Sequence, residues 1–201
     1  MKNQNLKGSI RKTTSHGRIA EAAVAAKCWM HGIAVHNTGG LRANFAGSDL
    51  IMDTPDLRIK RLIQVKSGYC KSNKVYLTQC KGECDLADDK FHSDFVVFVN
   101  IDEKVGKTHD HNGQLSFEHL TFYVTPAEVA NRLYRTAVQA EHARPLRNGG
   151  VRSLANLAVY VSPEQMAPFR NAWRLLRQAG LPKVAGSSGT SASLPINSLP
   201  H

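Results

Sequence analysis

The sequence predicts a single α/β or α+β domain in which helices pack on a central sheet. Three observations predict it: an Ala-rich helical segment near the start, two neighbouring runs that alternate polar and apolar residues, and a continuous apolar run at 95–101. The chain has 201 residues, of which 42% are hydrophobic. A chain of this size can bury one core without needing a disulfide or a metal ion to hold it together.

The first element is a helix that follows a polar segment. Residues 1–14 are basic and lack apolar periodicity, so we expect a flexible basic arm. Ser15 is a suitable N-cap, and Gly32 follows the helix end near His31. Glu21 projects among small apolar residues, where a carboxylate is either solvated or directed into a cleft. The opposite helical face contains Ile19, Ala22, Ala23, Ala26, Trp29 and Met30.

A β-hairpin is predicted after this helix. Residues 48–53 and 57–66 both alternate polar and apolar side chains, and Thr54-Pro-Asp between them is a turn signal. The later elements follow in order: a short strand at 75–78, the buried strand at 95–101, a strand at 120–125 paired with it, a helix from Pro126, and a last helix from Ser162 to about Ala179. Residues 37–44, 80–90 and 104–113 are expected to be loops.

The predicted hairpin brings three polar side chains together. Centring the turn between Asp56 and Leu57 places Asp49 opposite Gln64 and Gly47 opposite Lys66. Asp49, Gln64 and Lys66 then share one face of the sheet, while Ile63 and Val65 point into the core. Hard divalent cations prefer oxygen ligands, and a lysine beside them can orient water and balance negative charge. This layout is the one that metal-dependent hydrolysis of phosphodiester bonds requires.

These residues resemble the PD-(D/E)XK nuclease superfamily. Its acidic residue, hairpin and (D/E)-x-K motif correspond to Ser48-Asp49-Leu50 and Gln64-Val65-Lys66-Ser67, and Gly17-Arg-Ile-Ala-Glu21 resembles its first-helix glutamate. Residues 92–99 and 122–129 are similar to the later strands and helix of the branch with intron homing endonucleases and junction resolvases. The resemblance covers residues 15–135 and implies a restriction-endonuclease-like mixed central sheet flanked by helices.

The resemblance also implies roles for the site residues. Asp49 would be the primary ligand of Mg²⁺ or Mn²⁺, Gln64 and the carbonyl oxygen of Val65 further ligands, and Glu21 a water-mediated or second-metal ligand. Lys66 would position or activate water. Position 64 departs from the motif, because a glutamine stands where the superfamily has aspartate or glutamate. A neutral amide binds a dication more weakly than a carboxylate does, although some branches carry Gln-x-Lys and cleave DNA.

The charge distribution predicts a polyanionic partner. The formal net charge is +10, and the basic excess lies in residues 1–66 and 127–201, whereas 67–126 is acidic on balance. Two basic regions that flank a groove would bind DNA, duplex or branched, through its phosphates; the alternative is that these side chains only solvate two helical faces. The candidate DNA contacts are Lys7, Arg11, Lys12, Arg18, Arg42, Tyr69, Lys71, Arg170, Arg174 and Arg177.

The sequence therefore predicts a metal-dependent DNA endonuclease, with a basic helical extension at 136–184 and a disordered tail at 185–201. Cutting both strands of a duplex implies a homo-oligomer. Two alternatives remain: a nuclease fold that binds DNA without cleaving it, and a basic module that binds an acidic protein. We expect no membrane span and a cytoplasmic location, with reduced cysteines. Cys70, Cys80 and Cys84, with His92, leave a structural zinc site open.

Overall fold

A five-stranded mixed sheet lies at the centre of the fold, in the strand order β1-β2-β3-β5-β6. The computed structural model describes residues 4–38, 47–53, 60–80, 89–102, 117–145 and 153–180. Strands β3 and β5 are parallel, and the other neighbours are antiparallel. The predicted mixed sheet flanked by helices is confirmed. The sheet strands are β1 (Val35–Asn37), β2 (Leu50–Asp53), β3 (Lys60–Tyr69), β5 (Phe95–Ile101) and β6 (Leu120–Pro126).

Two layers cover the two faces of this sheet. One face packs on α1 (Gln4–Met30) and on the C-terminal α4 (Arg174–Gly180) and forms the first core, which includes Val24, Cys28 and Leu176. The other face packs on α2 (Ala127–Ala143) and on a two-stranded sheet of β4 (Val75–Gln79) and β7 (Ala158–Val161). The short α3 (Pro163–Met166) and two 3-10 turns, Phe117–His119 and Ala167–Phe169, complete the described elements. None of the helices in these ranges is long and apolar enough to cross a membrane.

The hairpin register is confirmed where the two strands pair. Ile51 lies opposite Leu62, as predicted, and the ladder runs from Leu50 opposite Ile63 to Asp53 opposite Lys60. The ladder ends there, so the predicted Asp49–Gln64 and Gly47–Lys66 pairs are not part of it. Asp49 instead donates its backbone N–H to the carbonyl oxygen of Ile63 at 2.9 Å, one residue away from the predicted partner.

The predicted central strands are also confirmed. All seven residues of β5 are buried, as a strand covered on both faces requires, and β5 pairs antiparallel with β6. A buried asparagine connects β5 to the second sheet: Asn100 accepts a bond from the N–H of Tyr76 at 2.7 Å and donates to its carbonyl oxygen at 3.1 Å. These bonds satisfy backbone groups that no neighbouring strand reaches.

The predicted start of α1 is wrong. The helix begins at Gln4 rather than at Ser15, so Ser15 is an interior position of the helix and not its N-cap. The buried residues of α1 are Ala20, Ala23, Val24 and Cys28, whereas Trp29 and Met30 are 58% and 72% exposed.

The C-terminal part also differs from its prediction. The single helix expected from Ser162 to about Ala179 is broken into α3, a 3-10 turn and α4. Pro168 lacks the N–H that a continuous helix would use, and Asn171 has a positive φ of 51° that turns the chain. The sequence analysis missed strands β1 and β7, which are three and four residues long. The predicted turn at Thr54-Pro-Asp, the loop at 104–113 and the tail at 185–201 lie outside the described residues.

A substitution at Gly68 in β3 can test how the two sheets pack against each other. Any side chain at Gly68 would overlap the ring of Tyr76, which packs edge-on against Tyr160 with centroids 5.6 Å apart. Gly68→Ala is therefore expected to lower the free energy of unfolding by about 1–3 kcal/mol, measured by urea denaturation. Gly17→Ala is the matched control, because Gly17 is helical with nothing within 4 Å of the added methyl. It should raise stability by about 0.5–1 kcal/mol. Equal effects of the two substitutions would contradict this packing.

Candidate metal and nucleic-acid site

Backbone hydrogen bonds fix the position of Asp49 from three sides. Its carboxylate Oδ2 accepts the N–H of Val65 at 2.6 Å. Its own N–H donates to Ile63, and its carbonyl oxygen accepts the N–H of Thr38 at 3.0 Å. The buried Thr38 hydroxyl adds a bond to the carbonyl oxygen of Ser48 at 2.8 Å. The aspartate is thus held against the middle of β3, with Oδ1 making no hydrogen bond to any described residue.

Gln64 lies next to the residue that Asp49 binds. It is a buried polar residue in the middle of β3, at 8% exposure. Its amide oxygen, Oε1, is buried and has no hydrogen-bond partner among the described residues. Leaving a buried acceptor unsatisfied costs about 1–3 kcal/mol. A side chain that carries this cost is suited to bind a ligand from outside the protein.

The Val65 carbonyl is directed to the same side as Asp49. Within a strand, the N–H and C=O of one residue point to the same neighbour, and the N–H of Val65 binds the Asp49 carboxylate. The Val65 side chain belongs to the first core, as predicted. The Val65 backbone can therefore offer an oxygen near Asp49 whatever side chain position 65 carries.

Glu21 on α1 is electrostatically coupled to two residues of the hairpin. Burial raises the pKa of its carboxyl group, and the negative charge of Asp49 raises it further. The positive charges of Arg18 and Lys66 lower that pKa, with the smaller effects. The couplings place Glu21, Asp49 and Lys66 within electrostatic range of one another.

Lys66 is the cation of this group. It is half-buried on β3, two residues after Gln64 and opposite Phe98 of β5. Alternation along the strand places its side chain on the same face as that of Gln64. Its charge stabilises the ionised form of Glu21. The position suits an ammonium group that balances negative charge brought in by a ligand.

Together these groups offer a small set of oxygen donors. Asp49 and Glu21 supply carboxylates, and Gln64 and Val65 supply neutral oxygens. Among the described residues no three or more His, Cys, Asp and Glu side chains form a metal-binding group, so the set depends on the two neutral oxygens. Oxygen ligands with one or two carboxylates fit Mg²⁺ or Mn²⁺ better than zinc or copper. The buried, unpartnered Oε1 of Gln64 agrees with this fit.

The predicted DNA contacts fall into separate regions. Arg18 is exposed on α1, Lys71 is exposed after β3, and the Tyr69 hydroxyl lies 3.3 Å from the ring nitrogens of His16. Arg170, Arg174 and Arg177 are exposed and line a cleft together with His31, which follows the end of α1. Arg42 lies outside the described residues, and so do the side chains of Lys7, Arg11 and Lys12.

Two histidines near these groups were missed by the sequence analysis. His16 contacts Tyr69 edge-on, and its spacing of four from the buried Ala20 would have placed it on the packed helix face. His31 stacks on Trp173 with ring centroids 5.6 Å apart. No spacing in the sequence connects those two residues, because only the tertiary fold brings the end of α1 to the C-terminal region.

The described cysteines have partners other than a metal ion. Cys70 donates to the amide oxygen of Asn100 at 3.4 Å, and the Cys80 sulfur lies 3.3 Å from the Tyr134 hydroxyl oxygen. Both are free thiols, as is the buried Cys28. Cys84 lies outside the described residues, so the open alternative of a zinc site is not tested there.

Comparisons with known proteins return a structural likeness alone. The chain is similar to a solved structure described as a bacterial homing endonuclease, I-Ssp6803I, with 19% sequence identity and a TM-score of 0.45. The match covers 84% of this chain and 95% of the other. No protein-family model matches the chain. A comparison with curated proteins also finds no match. At this level the likeness does not establish what the chain does.

The raised pKa of Glu21 predicts how stability depends on pH. A carboxyl group with a higher pKa in the folded state is penalised when it ionises, so its contribution falls as pH rises above the unfolded value of about 4.3. Glu21→Gln removes that penalty. The variant should be more stable than the parent at pH 7, with the difference shrinking toward pH 4, in urea titrations at both values.

Glu118→Gln is the control for this measurement, because Glu118 is an exposed glutamate in a short 3-10 turn. It should show no comparable gain at pH 7. A Glu21→Gln variant that is less stable than the parent at pH 7 would show that the ionised carboxylate is favourably paired instead.

The unpartnered oxygen of Gln64 gives a second prediction. Gln64→Met keeps the approximate size of the side chain and removes the unsatisfied acceptor. Without added metal, the variant should be as stable as the parent or more stable by up to about 1–3 kcal/mol, whereas the parent alone should gain thermal stability from Mg²⁺ or Mn²⁺. A strongly destabilised variant, or equal stabilisation of both proteins by metal, would contradict a ligand role for Gln64.

Proposed function

We propose that this chain is an endonuclease that hydrolyses DNA phosphodiester bonds with the help of Mg²⁺ or Mn²⁺. The observation that carries the proposal is the buried Oε1 of Gln64, which has no hydrogen-bond partner among the described residues, next along β3 to Val65, whose N–H holds the Asp49 carboxylate. An unsatisfied buried acceptor costs stability unless a ligand satisfies it. A bound cation would do so.

Each residue of the site has a separate task in this proposal. Asp49 and Gln64 hold the cation, with the Val65 carbonyl as a further oxygen, and Glu21 holds a water ligand or a second ion. The cation supplies Lewis-acid polarisation of the phosphate and lowers the pKa of a nearby water. Lys66 donates hydrogen bonds to the attacking water or to a non-bridging phosphate oxygen, where negative charge increases in the transition state.

The balance of charges supports a phosphodiester substrate. A site with two carboxylates repels a phosphate unless cations offset them. Arg18 and Lys66 provide positive charge next to Glu21, and the chain as a whole carries a net charge of +10. An enzyme of this charge attracts DNA over distances comparable to the Debye length of about 8–10 Å.

The proposal includes an assembly and a location. One such site cuts one strand, so cleavage of a duplex calls for two copies of the chain around it. The described cysteines are thiols, which suits the reducing conditions of the cytoplasm.

One observation favours a second candidate, a DNA-binding protein that no longer cleaves. Position 64 is a neutral glutamine, so the site has one negative charge fewer than the motif it resembles. Metal affinity falls with ligand charge, and a sufficiently weak site would leave binding without hydrolysis. The two candidates differ only in turnover and can be separated by one assay.

The assay is nicking or linearisation of supercoiled plasmid with Mg²⁺ or Mn²⁺. Asp49→Asn and Lys66→Met should each lower the cleavage rate on the order of 10²-fold or more, because they remove a metal ligand and a charge that stabilises the transition state. Asp53→Asn is the control: it removes the same charge four residues away, at the far end of β2, but alters a partly buried carboxylate that pairs with His36.

The outcomes separate the candidates. Cleavage by the parent that requires metal, is retained by Asp53→Asn and is lost in the other two variants supports the enzyme. DNA binding by the parent without any nicking in either metal favours the non-cleaving protein. Cleavage that persists in Asp49→Asn contradicts the proposed site.

A further inference from the structure

A basic cleft of about 290 Å³ lies beyond the C-terminal end of α1. It is formed where the chain leaves α1 and where the C-terminal segment turns into α4. Its lining contains no acidic residue. The polar and aromatic groups used below are His31, Arg170, Trp173, Arg174 and Arg177.

The walls of this cleft are fixed by the fold. Arg170 forms a bridge to Tyr123 of the edge strand β6, and the next residue, Asn171, donates its N–H to the carbonyl oxygen of Phe122 at 2.9 Å. Trp173, 2% exposed, packs on Phe122 with ring centroids 5.6 Å apart. The His31 ring stacks on the indole. The arginines therefore project from an ordered base.

The arginines of this cleft have no counterion among the residues that the structure describes. Arg170, Arg174 and Arg177 form no ion pair and no side-chain hydrogen bond with any described residue. Arg174 and Arg177 lie three residues apart on α4, so they project from one face and repel each other. By contrast, Arg61, Arg135 and Arg144 each have an acidic partner. Three unpaired guanidinium groups around one concave surface form a site for an external anion.

The position of the cleft relative to Glu21 suggests which kind of anion the cleft binds. Glu21 and His31 are ten residues apart along α1 and its end, which corresponds to about 15 Å at the helical rise. Both lie on the side of the sheet that α1 covers. DNA carries one charge per roughly 1.7 Å of helix axis. A duplex bound at the proposed site therefore has phosphates within reach of both that site and the cleft.

We infer that the cleft of Arg170, Arg174 and Arg177 binds the phosphodiester backbone of the DNA substrate, away from the bond that is cut. This inference rests on the proposed function for its choice of partner. Guanidinium groups bind phosphate oxygens through paired hydrogen bonds, and such contacts position a duplex without reading its sequence. The described lining offers no carboxylate that would select a sugar or a base.

The test measures DNA binding by the full chain, without cleavage. Fluorescence anisotropy with a labelled duplex is recorded in EDTA over a series of salt concentrations. Arg174→Gln/Arg177→Gln should weaken binding on the order of tenfold or more at low salt, and should reduce the slope of log K against log salt by about 1.8. Thermal unfolding of both proteins verifies that the exposed substitutions leave the fold intact.

A double variant on the other face of the sheet is the matched control. Arg132→Gln/Arg144→Gln also removes two exposed arginines, at α2 and its C-terminal end. The two double variants have the same net charge. The inference predicts that the control keeps most of the affinity and the parent's salt slope, whereas a simple charge effect would weaken both alike and would overturn the inference.

Further outcomes separate this inference from the proposed function. Loss of binding in the cleft variant, with no nuclease activity in the parent, supports the cleft and contradicts the enzyme. Normal binding by the cleft variant of an active nuclease overturns the cleft alone. Inorganic phosphate that displaces the duplex far more strongly than sodium chloride of equal ionic strength identifies a small-anion pocket instead, and would also overturn the inference.

Discussion

The hydrogen bond from the Val65 N–H to the Asp49 carboxylate determines the geometry of the candidate site. It has a donor–acceptor distance of 2.6 Å and joins the segment before β2 to the middle of β3. Because the strand ladder ends at Leu50, a side chain takes the place of a backbone acceptor at this point. Asp49 is thereby held beside Val65, between Gln64 and Lys66 along β3, and α1 contributes Glu21, which is electrostatically coupled to Asp49 and Lys66.

The same arrangement carries a cost that the rest of the fold has to offset. A buried amide oxygen without a partner and a carboxyl group with a raised pKa both lower stability. Strained or unsatisfied groups are typical of functional sites. Here the surrounding structure is well satisfied: the fully buried strand β5 lies beside β3, Asn100 binds the backbone of Tyr76 in β4, and Asn131 binds the backbone of Phe91.

Much of this fold followed from local patterns. The alternation in 48–53 and 57–66 fixed the hairpin register, and the apolar run at 95–101 identified the central strand. The pattern did not identify the face of α1 that packs on the sheet, because alanine is compatible with either side of a helix; Ala20 and Val24 are buried, whereas Trp29 and Met30 are exposed. Pro168 was a sufficient signal for the break between α3 and α4, and the prediction overlooked it.

The sequence proposes the residues of the candidate site but not their physical state. Spacing and resemblance selected Asp49, Gln64, Lys66 and Glu21, yet they could not show that Asp49 binds a backbone N–H or that Oε1 of Gln64 has no partner among the described residues. The basic cleft could likewise be predicted only in part. The spacing of Arg174 and Arg177 places them on one helical face, whereas their proximity to His31 depends on how α1 and the edge strand β6 pack.

The central claim is that Asp49 and Gln64 hold one divalent cation between them. Anomalous diffraction from crystals soaked in Mn²⁺ measures this directly, because the signal comes from the metal alone. The account predicts a peak within about 2.5 Å of both the Asp49 carboxylate and Oε1 of Gln64. A saturated crystal with no peak there, or with a metal bound to Asp49 while the Gln64 amide oxygen points elsewhere, would contradict it.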